Sequence, residues 1–292
     1  MELRTLQYFV AVAETLNFTR AAERLQIAQP PLSQQIQRLE RELGVRLFER
    51  NKRSVRLTDA GAVFLQEAYR TLAQAEQAIR VAREAERGVS GRLSIGFVGS
   101  SAYGVLPAII HDFRRRYPQV ELVLREWTTV EQTQALRAEE IQVGFLRPPV
   151  LDATLERLSV QREPFLIALP TTHQLATTAP LSLAALANDP FIVVPAKLAP
   201  GLAQQMMGMC LDAGFQPRVA QEVIQFHVII GLVAAGLGVA LVPARISAFH
   251  RPDVVFLPLE NITTQAEIQA VWRRADQSPV LRNFLDVLRE HV

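Results

Sequence analysis

The sequence predicts an α/β protein built from two unlike parts. A small all-helical front segment is extended by one long helix, and a larger two-lobed α/β domain follows. Three observations lead there. Residues 18–57 hold two short helical patterns and then a basic ribbon. Residues 58–87 read as one uninterrupted helix, and from residue 92 short β runs alternate with helices. The domain limits expected from these shifts are 1–58, 59–91 and 92–292.

In the front segment Leu6, Phe9, Val10 and Ala13 place a first helix over residues 3–15. Asn17 or Thr19 can cap the next, which holds Ala21, Ala22 and Leu25. Its alanines let another helix cross closely. Pro30 and Pro31 fit the first turn of a third helix, where a missing backbone donor costs nothing. In that helix Leu32, Ile36, Leu39 and Leu43 stack one apolar face, while Ser33, Gln34, Gln37, Arg38 and Arg41 occupy the other. Helix, short turn and helix with this polarity is a helix-turn-helix candidate, and a face of hydrogen-bond donors is what a major groove requires. The ribbon RLFERNKRSVRLT follows. Phe48, Val55 and Leu57 are expected to point inward from two short strands, with Asn51–Ser54 as the tip. Arg50, Lys52, Arg53 and Arg56 crowd this wing, which suits phosphates or a minor groove.

Charge agrees with this division. The net charge of +2 is unevenly spread: residues 1–92 hold 15 Lys and Arg against 11 Asp and Glu, and residues 93–292 hold 16 against 18. Within residues 18–57 the count is 9 against 4. A local basic patch on a nearly neutral chain points to a polyanion, although a solvated basic face has the same composition. A chain of 292 residues with 49% hydrophobic content supports a sizeable core and at least two domains. No apolar run is long enough to span a membrane. The start of the chain lacks a basic leader and a small-residue cleavage site, and Cys210 is the only cysteine, so a cytoplasmic location is expected.

The long helix is capped by Thr58 or Asp59 and stopped by Gly88. Leu65, Ala68, Leu72, Ala75, Ile79 and Ala82 recur at alternating spacings of three and four, a heptad seam. A seam this rich in alanine is expected to bring two chains close together; packing on its own domain is the other reading. GVSG at residues 88–91 is the expected hinge.

In the back domain RLSIGFVG, VELVLREW and IQVGFL are strand-like and alternate with helices, so parallel strands are expected. A second set follows in PFLIALP, FIVVP, PRVAQEV and GVALVP, with helices near 201–214 and 225–235. VVFLPL, EIQAVWRR and a last helix at SPVLRNFLDVLREH close the chain. Two lobes are expected, one from about 92–161 with 268–292 and the other from about 162–267, joined near 161–163 and 264–268. Ligands bind such sheets beyond the carboxyl ends of the strands. Three segments reach that edge: Val98, Gly99, Ser100 and Ser101; Thr128 and Thr129, with Thr128 and Glu131 fitting a capping box; and Leu146 with Arg147. Two helix starts and a fixed positive charge suit a small anion, most simply a carboxylate. The plainer reading makes the hydroxyls helix caps and Arg147 a structural ion pair.

No catalytic or metal chemistry is indicated. GLVAAGLGVALVP lacks the lysine of a phosphate loop, and His111, His173, His227, His250 and His291 are scattered without metal spacing. Cys210 reads as a core thiol, and no nucleophile elbow occurs. No cofactor is expected.

The ordered set MELRTLQYFVAVAE, FTRAAERL, AQPPLSQQIQRLERELGVRLFER and LTDAGAVFL resembles the N-terminal domain of LysR-type transcriptional regulators. The similarity is dense over residues 1–65 and looser to the end. It implies a winged helix-turn-helix and an effector domain built like a periplasmic binding protein. It also implies promoter DNA as partner, self-association as a dimer of dimers, RNA polymerase as a further partner, and activation as the commoner mode. By position, Gln29, Pro30, Pro31, Ser33, Gln34, Gln37 and Arg38 become groove contacts, with Arg50 and Arg53 at the wing and Thr19 and Arg20 at phosphates. Gln34 stands where many members have arginine. IGFVGS and its surroundings resemble the muconate- or benzoate-responsive and acetoin-operon branches. In the aromatic-acid branch, positions matching Ser100, Thr129 and Arg147 hold the effector carboxylate; Pro200, Leu202 and Phe226 are placed on the facing lobe. Leu202 departs from the aromatic residue common there, and Leu146-Arg147-Pro148-Pro149 also differs. The contrasting expectation, from the back domain alone, is a soluble solute-binding or transport component.

Overall fold

A computed structural model describes residues 1–51 and 54–292. Lys52 and Arg53, the latter an expected DNA contact, lie outside the described residues. The chain forms two compact units, Met1–Glu84 and Ala85–Val292.

The front unit holds α1 (Leu3–Thr15), α2 (Phe18–Arg24), α3 (Gln29–Leu43), the antiparallel pair β1 (Phe48–Asn51) and β2 (Ser54–Leu57), and most of α4 (Asp59–Glu86). Asn17 is the cap of α2: its Oδ1 accepts from the backbone N–H of Thr19 at 2.9 Å and of Arg20 at 3.1 Å. Gly44, at a φ of +70°, ends α3 in the left-handed conformation that glycine adopts without strain. The core gathers Leu6, Phe9, Val12, Leu32, Ile36 and Leu39 with Leu47 and Phe48. Phe9 lies between Phe48 and Phe64, at 5.3 and 5.0 Å between ring centroids.

The heptad seam of α4 is split by this core. Ala68 is 1% exposed, and Leu65 and Leu72 pack against the same cluster. These three therefore serve their own unit, and the expectation that they join two chains is corrected for Ala68, which has no surface left to offer. Ala75 is half-buried, while Ile79, at 52%, and Ala82 remain exposed.

The back unit contains β3 (Ser90–Phe97), α5 (Leu106–Arg116), β4 (Gln119–Glu126), α6 (Thr129–Arg137), β5 (Val143–Leu146), β6 (Leu155–Pro170), β7 (Pro190–Val193), α7 (Pro200–Asp212), β8 (Arg218–Glu222), α8 (Phe226–Ala234), β9 (Ala240–Pro243), β10 (Val254–Pro258), β11 (Gln265–Arg273) and α9 (Pro279–Arg289). The main sheet runs β10-β6-β11-β5-β3-β4, with β9 also on β6; β7 and β8 pair separately. β3, β4 and β5 are parallel, as are β7 and β8. β6 and β11 are antiparallel to each other and to their other neighbours, so the sheet is mixed where parallel strands were expected. The reason is the path of the chain: β6 carries it out of one lobe and β11 carries it back. On β6 the core changes between Val160 and Phe165, and on β11 between Ile268 and Ala266. The strand pair thus joins the lobes, with Glu267 opposite Arg162 and Ala266 opposite Glu163. No helix among the described residues is long and apolar enough to cross a membrane.

Candidate anion cleft and nucleic-acid interface

In the back unit the ends of β3, β4 and β5 meet the start of α7 and α8 around a cleft of about 170 Å³. Val98, Gly99, Ser100, Thr128, Thr129 and Arg147 line one side, and Leu202 and Phe226 line the other. Eight of the ten residues singled out from sequence are thereby brought together. Ser101 and Pro200 are not. Ser101 is fully buried and its Oγ donates to the Val98 carbonyl at 2.8 Å, because one residue of tight helical turn swings it away from Ser100. Pro200 lines a separate apolar cavity with Met206, Met207 and Cys210. Two residues along an α-helix turn the direction by about 200°, so Leu202 and Pro200 face opposite ways.

Arg147 is the centre of the arrangement. It is 5% exposed. Its Nη2 donates to Ser100 Oγ at 2.9 Å, its Nη1 to the Glu267 carbonyl at 3.3 Å, and its backbone N–H to Thr129 Oγ1 at 3.2 Å. Burial pulls the guanidinium down to about 10, the nearby charge of Glu163 offsetting part of that, so it is still cationic at neutral pH. It forms no ion pair among the described residues. Glu163 is itself occupied, accepting from Gln161 Nε2 at 2.6 Å and from the Arg245 backbone N–H at 2.5 Å. A buried cation held only by neutral oxygens at the edge of a cleft carries the cost of an unpaired charge, a cost that an anion would offset.

The strand ends that carry these groups are tied by Gln132, which is fully buried on α6. Its Nε2 donates to the carbonyls of Trp127 at 2.8 Å and Phe145 at 3.3 Å. Thr128 caps α6 with Glu131 in the expected reciprocal box. Sequence reasoning missed Trp127, Val194, Leu198 and Ile224, which give the cleft apolar walls, and Glu126 and Gln225, which give it polar ones. Glu126 Oε1 accepts from Gln225 Nε2 at 2.8 Å, a link from β4 in one lobe to the residue before α8 in the other. The available signal was position: Glu126 and Trp127 end a strand, and Gln225 precedes a helix, at the same sheet edge as the residues already chosen.

In the front unit Thr19, Arg20, Gln29, Pro30, Pro31, Gln34, Gln37 and Arg38 are all exposed, and Ser33 is half-buried. They lie on the starts of α2 and α3 and along the outer face of α3. Arg38 pairs with Glu42 one turn on, at 3.1 Å. Arg50 is already engaged within the unit. Its guanidinium donates to Glu40 at 3.0 Å and to Ser33 Oγ at 3.3 Å, and sits 4.6 Å from the ring centroid of Phe18. These three attachments brace the wing against α2 and α3 and leave less of the side chain for phosphate. Glu40, unnoticed in the sequence, is the anchor: its Oε1 also accepts from the backbone N–H of Leu47 at 2.9 Å and Phe48 at 3.1 Å. One half-buried carboxylate on the recognition helix thereby sets the position of the wing.

Comparison with known proteins accounts for both units. Residues 3–62 match the family described as bacterial regulatory helix-turn-helix protein, lysR family, and residues 86–292 match the LysR substrate binding domain. The chain is 39% identical to the HTH-type transcriptional regulator AlsR of Bacillus subtilis, over 98% of this chain and 95% of that protein. It is 37% identical to the Hca operon transcriptional activator HcaR of Escherichia coli, over 100% and 98%. Among solved structures, full-length CbnR in complex with its target DNA gives a TM-score of 0.88 at 33% identity, covering 100% of this chain and 99% of that one. The effector binding domain of BenM with its effector benzoate gives 0.61 at 28% identity, covering 68% and 91%. The helix-turn-helix match sets aside the solute-binding reading, which left the front unit unexplained.

Proposed function

Because this chain belongs to the LysR family of bacterial helix-turn-helix transcriptional regulators, we propose that Arg147 takes the carboxylate of a small organic acid and that its binding sets how the front units engage a promoter. The protein is a DNA-binding regulator with an effector domain. The observation that carries the finer reading is the buried guanidinium of Arg147, without an ion-pair partner among the described residues and facing a cleft with Ser100 and Thr129. A carboxylate there gains charge-assisted hydrogen bonds of about 1.5–3 kcal/mol each. The cleft volume of about 170 Å³ matches one small ring or a short chain, since a cavity of about 150 Å³ holds benzene.

At the front unit, Gln34 reads a base edge, with Gln29, Pro30, Ser33, Gln37 and Arg38 around it, and Thr19 and Arg20 hold phosphates. The exposed side chains of Thr19 and Arg20 support the phosphate role, at the positive end of the α2 dipole, their backbone N–H groups being already taken by Asn17. The exposed stretch of α4 around Ile79 and Ala82 joins two copies, and two such dimers make the working assembly. The acid regulates by binding one arrangement of the lobes better than another, which is the only way a ligand shifts such an equilibrium. DNA from upstream of the gene for this protein, in a gel shift, tests the reading: affinity should fall steeply with salt, as counterion release requires, and respond to acids only while Arg147 is present. Binding indifferent to salt and to every acid would overturn it.

A further inference from the structure

The charges around the cleft are unbalanced. Among its described lining residues the charged groups are Arg147 at the buried end and Glu126 and Glu131 on the exposed side. Glu131 is held in its capping box, one oxygen accepting from the N–H of Thr128 at 2.7 Å and from its hydroxyl at 2.8 Å. Glu126 also uses a single oxygen, but it does so across the cleft, on the opposite lobe, rather than within its own helix cap. Its Oε1 takes the amide of Gln225, and its Oε2 has no partner among the described residues. The carboxylate lies over Gly99, where an added Cβ would come within 2.5 Å of Glu126 Oε1 and 3.1 Å of Gln225 Oε1. Glycine at that position leaves room for a carboxylate and an amide at the cleft wall, one from each lobe. A ligand anchored on Arg147 therefore shares the cleft with negative charge.

We propose that the cleft selects acids carrying one carboxylate at one end and a hydrogen-bond donor, an ammonium or a hydroxyl, at the other, with Glu126 as the specificity-determining residue. This rests on the reading of Arg147 as the carboxylate site. The ammonium or hydroxyl donates to the free oxygen of Glu126 and adds to the link between the lobes. A diacid of the same length meets like charge at that point and is rejected, a repulsive element that does as much for specificity as the attraction.

The test is isothermal titration of the full chain at neutral pH and fixed ionic strength. The probes are straight-chain acids of about four to six carbons, a length suited to this volume. Each length is offered as the plain monoacid, the ω-hydroxy acid, the ω-amino acid and the α,ω-diacid. The ω-amino and ω-hydroxy acids should bind best and the diacid worst. Glu126→Gln keeps an oxygen for Gln225 but removes the charge. It should shrink the preference for ω-amino acid over diacid by about fivefold or more. Arg147→Met should abolish all of these titrations. A diacid that binds wild type as tightly as the ω-amino acid, or an unchanged ranking in Glu126→Gln, overturns the selectivity while leaving the carboxylate site in place. Binding that survives Arg147→Met, or no binding of any probe, overturns the carboxylate site and this inference together.

Discussion

Replacing Arg147 with methionine separates two roles that predict opposite results. As the anion site, the wild-type residue holds a charge the fold would rather not bury. Burial pulls its pKa down from the ordinary guanidinium range to about 10, which corresponds to about 3 kcal/mol of unfavourable burial in the unliganded protein. Methionine relieves that cost and loses the bonds to Ser100 Oγ and the Glu267 carbonyl, which together are worth about as much. The unliganded variant should therefore unfold within about 2 kcal/mol of wild type. Affinity for an organic acid should fall by about a hundredfold or more, the equivalent of losing about 3 kcal/mol of charge-assisted bonding. Differential scanning calorimetry reads both. A wild-type chain at 100 times the dissociation constant gains about 2.7 kcal/mol, a shift of roughly 5–10 °C for a domain of this size, and Arg147→Met at the same concentration should shift by about 1 °C or less. A structural ion-pair residue behaves the other way, since breaking a buried pair costs about 3–5 kcal/mol whatever the ligand does. An unliganded variant destabilised that far, yet still shifted by the acid, would refute the argument.

Other outcomes follow from the same geometry. Arg147 keeps its proton up to about 10. Acid affinity measured by titration calorimetry should thus be level between roughly pH 6 and 8 for an effector already ionised there, and decline as pH rises through about 10. Arg20→Ala should weaken all DNA sequences alike and lower the salt slope by about one, whereas Gln34→Ala should cost about 1–3 kcal/mol at one base position and relax choice there; competitive gel shifts in which the two variants behave identically would contradict the assignment. Glu40→Ala leaves two backbone donors and the Arg50 guanidinium without their acceptor, so the front unit should lose about 2–4 kcal/mol in urea titration, and an unchanged midpoint would show that the wing is held by other means. Ile79→Glu places a charge on the exposed part of α4 and should lower the sedimentation mass at micromolar concentration; an assembly that is unaltered would place the contact elsewhere.

The helices were legible because their signals are local. Pro30 and Pro31 open α3, Thr128 and Glu131 cap α6, and the three-four spacing of apolar residues marks α1 and α9. The first half of β6 was not legible. Leu155–Glu163 mixes Arg157, Arg162 and Glu163 with Leu158 and Val160, so no clean alternation appears, yet the segment pairs with β11 on both sides of a bulge at Val160. Gln161 and Glu163 are buried there because they tie the lobes where the core changes, a demand no short window of sequence expresses.

The chain by itself determined the kinds of groups at each site: hydroxyls and an arginine at strand ends, donors on the outer face of α3, and small residues along α4. Their local spacing was enough, because caps, turns and helical faces depend on residues a few positions apart. Only the folded structure decided which of them meet. Ser100 reaches Arg147 across 47 residues, Gln225 reaches Glu126 across 99, and Arg50 is drawn to Glu40 and Phe18. Ala68 is likewise drawn into its own unit, and Pro200 is turned from the cleft that Leu202 lines. Such partnerships are set by burial and by the need to satisfy charge at a distance along the chain, and those forces act only once the lobes and helices have packed.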